Sequence, residues 1–120
     1  MKIIEAISLV DEMEVNTYGE DEKIRWLSWL DGQLYATVHM RHANPPEFHS
    51  YECESMDTEL LVPYPFDQMY ILWLRAQMDL ANGEISRYND EITAFNELQN
   101  AFIADYKRSH MPVSAGRFRF

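Results

Sequence analysis

The chain has 120 residues, enough for one domain with a single sizeable core and too few for a two-domain enzyme with an interdomain cleft. Apolar residues make up 47% and charged residues 25%, which excludes a disordered chain, and no apolar run nears the ~18 residues of a membrane span. The net charge of −10 is uneven: residues 1–105 sum to −14, whereas 106–120 hold Lys107, Arg108, Arg117 and Arg119 without an acid and sum to +4, so the acidic body argues against general nucleic-acid binding.

The apolar spacing of Ile3, Ile7 and Val10 predicts a short amphipathic helix over 3–13. Thr17 and Glu20 match a capping box opening a second helix from about Glu20 to about Met40, with Glu20, Asp21 and Glu22 favourably placed in its first turn. Its stripe is Ile24, Leu27, Leu30, Leu34 and Val38, widened by Trp26, Trp29 and Tyr35. Gly32, inside it, marks a kink or a close crossing. Residues 41–64 have no helical period, and a short strand or hairpin is expected around Tyr51, Cys53 and Ser55. The third helix opens at Pro63–Asp67 and runs to about Ala81. Only Gln68, Arg75, Asp79 and Asn82 interrupt its apolar surface, so it is expected to be central or covered by another subunit. Asn82-Gly83 stops it. The fourth helix spans about 84–109, with Ile85, Tyr88, Ile92, Phe95, Gln99, Phe102 and Tyr106 as its seam. The expected fold is all-α: a four-helix domain over 1–112 and an extended tail over 113–120.

Motifs that carry chemistry are scarce. The four glycines are isolated, so no phosphate-cradling loop exists, and no nucleophile elbow or CxxC pair occurs. His39, His42, His49 and Cys53 form a weak zinc pattern that is better read as loop histidines beside a lone thiol. The single cysteine excludes an internal disulfide and fits a reducing compartment. The acidic stretch from Glu47 to Glu59 lacks calcium-loop order. No catalytic residue, metal or cofactor is assigned.

The surplus is apolar helix surface. Trp26, Trp29, Tyr70 and Trp73 are the candidate subunit contacts, because such side chains bury much area at an interface. The alternative is that residues 41–64 fold back over one of these faces. Glu47, Glu52, Glu54 and Asp57 mark that segment as partner-facing. In the tail, Arg117, Phe118, Arg119 and Phe120 alternate cation and ring, a pattern that suits docking in a partner's groove.

Several stretches together resemble a known group. They are Asp21–Leu27, Asp57–Pro63 with Pro65-Phe66-Asp67, Ala81–Asn89 (Ala-Asn-Gly-Glu-Ile-Ser-Arg-Tyr-Asn), and Tyr106–His110. Across about 15–112 the chain resembles the head-tail connector, or adaptor, proteins of long-tailed bacteriophages and prophages. The resemblance implies a non-enzymatic virion protein of the neck, made in the host cytoplasm. Its copies form a ring, commonly dodecameric, beneath the portal protein. That ring extends the DNA channel without sequence-specific binding and without a membrane, and supports the next stopper or tail protein. In such adaptors a C-terminal segment, here 111–120, reaches the portal. The long acidic loop at 43–62 departs from a minimal adaptor. The alternatives are another neck or tail-completion protein (a stopper or tail terminator, usually β-rich) and a small soluble interaction modulator acting as monomer or dimer.

Overall fold

The computed structural model describes residues 1–53 and 56–112. Four helices make up the fold: α1 (Ile3–Met13), α2 (Glu20–Thr37), α3 (Gln68–Ala81) and α4 (Ile85–Ser109), with a 3-10 turn at His39–Arg41 after α2. Among the described residues there is no strand: Tyr51 and Cys53 are not part of one, Ser55 lies outside the described residues, and the β pairing described is limited to the bridges Lys2–Glu59 and His42–Pro112. No helix of the described residues is long and apolar enough to cross a membrane.

Helix α1 buries Ile3, Ala6, Ile7 and Val10 along one face, as its spacing demands. Its first free amides are satisfied from outside: Ile3 and Ile4 donate to the carbonyls of Thr58 and Met56 at 3.0 and 2.9 Å. Thr17 does not cap α2; Gly19 is the N-cap residue and no side chain caps it. The approach is organised by Asn16 instead, whose Oδ1 accepts the Tyr18 amide (3.2 Å) and whose Nδ2 donates to Asp11 (3.0 Å). At the other end, the His39 and His42 rings donate from Nδ1 to the carbonyls of Leu34 (3.3 Å) and Val38 (2.7 Å), supplying partners to the last carbonyls of the helix.

Helix α3 is central and touches α1, α2 and α4. It starts later than its sequence suggests. Residues 64–67 form turns, with a cis peptide between Tyr64 and Pro65, and helix begins at Gln68. Tyr64 precedes a proline and is thereby kept out of the α region. Gly83 closes the α3–α4 turn at φ +78, a conformation that favours glycine. The long segment between α2 and α3 folds back on the body, and Tyr51, Leu60 and Val62 join the core. This covering is the alternative to a purely intersubunit use of the surplus apolar faces.

Gly32 marks neither a kink nor a crossing. Helix α2 runs through it, and a Cβ built there would meet only the Phe48 ring at 3.9 Å, an ordinary contact. Gly32→Ala is therefore expected to raise stability by about 0.5–1 kcal/mol, the difference in helix propensity. A urea midpoint at or below that of the parent would show that the Phe48 side needs the gap.

Candidate functional site

The α3–α4 hairpin turns at Gly83, so residues equidistant from it along the two helices face each other. Arg75 and Glu91 are one such pair, and Asp79 and Arg87 are another. Arg75 Nε lies 3.1 Å from Glu91 Oε2. Glu14, the C-cap residue of α1, reaches into the same place: Arg87 Nη2 lies 2.5 Å from its Oε1 and Arg75 Nε lies 3.9 Å from its Oε2. Carboxylate oxygens of Glu14, Asp79 and Glu91 all come within 4.8 Å of one another. Three helices thus meet on three acids and two arginines.

Asp79 is the anomalous member. It is 0% exposed, neither of its oxygens has a hydrogen-bond partner, and its closest cation, Arg87, is 3.8 Å away. Burial, helped by the Asp79 charge, raises the carboxyl of Glu14 above its ordinary value. Burial also pushes Glu91 up to about 8, reinforced by the neighbouring Asp79 carboxylate, against the pull of Arg75. Three convergent carboxylates are a donor set that a hard cation accepts. Here two guanidinium groups already balance two of them, so the unbalanced charge is a single negative one.

A second buried polar centre is closed. Asp31 is fully buried and accepts three hydrogen bonds: Tyr51 Oη–H at 2.5 Å, Tyr70 Oη–H at 2.6 Å and the Leu61 amide at 3.0 Å. Tyr70 Oη in turn accepts the Val62 amide at 2.8 Å. Burial raises the Asp31 carboxyl, and its donors oppose that. This network pins Tyr51, Leu61 and Val62 to α2 and α3 and leaves neither oxygen of Asp31 without a donor.

The predicted contact residues separate. Tyr70 is fully buried on Asp31, and Trp26 is buried with its ring edge-on to Tyr18 at 5.5 Å. Trp73 packs on Phe95 and donates its indole N–H to the Trp26 carbonyl at 2.8 Å. Tyr70 and Trp26 are buried within the chain, by the segment before α3 and by neighbouring helices. Trp29 differs: it is 59% exposed, with the Arg25 guanidinium 5.8 Å from its ring centroid. It lines a groove of about 420 Å³ between α2 and residues 50–53. Glu47, Glu52 and Asp57 are exposed, and Glu47 pairs with His49 at 2.9 Å. Glu54 and the tail residues Arg117, Phe118, Arg119 and Phe120 lie outside the described residues. His39 and His42 are buried against Tyr106 whereas His49 and Cys53 are exposed, and among the described residues the four do not converge into a ligand group.

The buried carboxylates Asp31, Asp79 and Glu91 escape sequence reading, which places Asp79 on a polar stripe. The opposed charges four and eight residues either side of Gly83 were the available signal for two of them. Comparison of the chain with protein-family models, with curated proteins and with solved structures gives no match.

Proposed function

We propose that this chain is a structural protein of the phage neck, a head-tail connector whose copies form a ring beneath the portal protein. The ring extends the DNA channel and carries the next neck or tail protein. It acts in the virion, after assembly in the host cytoplasm, and performs no catalysis. Support comes from the resemblance carried by the Ala81–Asn89 stretch, now placed at the α3–α4 turn with Asn82 accepting from Tyr18 at 2.6 Å. The all-α architecture favours an adaptor over the usually β-rich stoppers and terminators.

The observation that carries the reading is Trp29, a large aromatic side chain left exposed after the connecting segment has covered its neighbours. Aromatic anchors of this kind dominate protein interfaces. The acidic body suits a channel lining that lets DNA slide without sticking.

Electron microscopy of the purified protein, alone and with portal-bearing capsids, tests the proposal. Rings seated on the portal are expected. Deleting 113–120 should abolish that attachment while leaving the melting temperature nearly unchanged. A protein that stays monomeric and unattached in both samples would overturn the reading.

A further inference from the structure

Of the buried polar groups, Asp31 has three donors, and His39 and His42 give their Nδ1 protons to carbonyls. Asp79 has no such partner on either oxygen, nor has its neighbour Glu91, and Asp67, also buried, lacks one on Oδ1 beside the chain's amino terminus. Around Asp79, Glu91 faces Arg75 and Glu14 faces Arg87, so those four charges cancel in pairs. Three carboxylates against two guanidinium groups leave one negative charge over, and the fully buried Asp79 sits 3.8 Å from Arg87 with no hydrogen-bond donor on either oxygen. An uncompensated buried charge is costly enough that the group takes a proton or a counter-charge.

We propose that Glu91 keeps its proton in the folded protein at neutral pH and turns it toward Asp79, and that losing it loosens the junction of α1, α3 and α4. The Glu91 O–H then donates to the Asp79 carboxylate, a charge-assisted hydrogen bond that gives Asp79 a donor without adding charge. The charged groups at the junction are Glu14 from α1, Arg75 and Asp79 from α3, and Arg87 and Glu91 from α4. The lysine that α2 turns toward α1, Lys23, is taken by Asp11 at 2.6 Å. Once the proton leaves, three carboxylates oppose two guanidinium groups, and the hold on Glu14 at the end of α1 weakens.

The direction follows from linkage. The folded Glu91 titrates near 8 and the unfolded one near 4.5. Between these values the folded state binds more protons, so this site's contribution to stability is full below the lower value, falls as pH rises through the window and levels off above it. Glu91→Gln keeps an N–H donor for Asp79 and has no proton to lose. It should match the parent's melting temperature at about pH 5 and exceed it by roughly 5 °C or more at about pH 8.5. Carbon-13 NMR of the parent's glutamate side chains should show one carboxyl titrating far above the ordinary glutamate range, and this reads the site even if the variant folds poorly. Three results would overturn the proposal: parallel pH profiles for parent and variant, every glutamate titrating in the ordinary range, or stabilisation of the parent by millimolar Mg²⁺ or Ca²⁺ that Glu91→Gln abolishes. The last would mean that a cation, and not a proton, compensates Asp79.

Discussion

Asp31→Ala is expected to lower stability by about 3–5 kcal/mol, because it strands two buried tyrosine hydroxyls and a backbone amide at once. Those three donors come from the segment before α3 and from α3 itself, while Asp31 belongs to α2, so one side chain joins all three elements at once. For a domain of this size the loss is a large fraction of the total stability. Tyr51→Phe removes one donor and leaves the carboxylate with two, so about 1–1.5 kcal/mol is expected. Asp31→Asn should fall between them: its amide keeps an acceptor oxygen but turns N–H donors toward other donors. Urea unfolding monitored by helical circular dichroism measures all three. A cost below about 1 kcal/mol for Asp31→Ala would mean that residues 51–62 are not anchored through this carboxylate.

Two leucines of α3 give the second large effect by contrast. Leu74 is 0% exposed at the centre of the fold, whereas Leu80, one and two-thirds turns later, is 45% exposed. Leu74→Ala removes buried methyl groups and leaves a cavity among three helices, which costs about 2–5 kcal/mol. Leu80→Ala forfeits only part of a surface contact and should stay within about 0.5–1 kcal/mol. Composition and propensity treat the two positions alike, so the difference reports the orientation of α3. Similar midpoint shifts for both variants would mean that α3 is rotated from the arrangement described.

Much of the secondary structure was legible because it rests on near neighbours. The i, i+3, i+4 apolar spacing of α1, the Asn82-Gly83 stop and the Phe95, Phe102 and Tyr106 seam are each decided within a few residues, and each stands where the pattern put it. The nearly all-round apolar surface of α3 implied a central helix, and it is one. Local reading fails where a competing local interaction wins: Asn16 organises the turn that Thr17 was expected to cap, and Pro65 delays the start of α3.

Ile85 keeps the helical period of α4 yet is exposed at the turn, because periodicity gives a face but not how far the opposing helix extends along it. Which apolar faces were surplus depended on the path of residues 41–64. That segment buries Tyr51, Leu60 and Val62 and closes over Tyr70, Trp26 packs on Tyr18 and Trp73, and Trp29 is left outside. The fate of the acids was likewise tertiary. Asp31 meets partners 20, 30 and 39 residues away, and Asp79 and Glu91 look like surface acids until the hairpin brings Arg75 and Arg87 beside them. A helix follows from hydrogen bonds and side-chain spacing along one stretch of chain, whereas burying a charge depends on donors and counter-charges that only the folded arrangement of distant stretches can bring within reach.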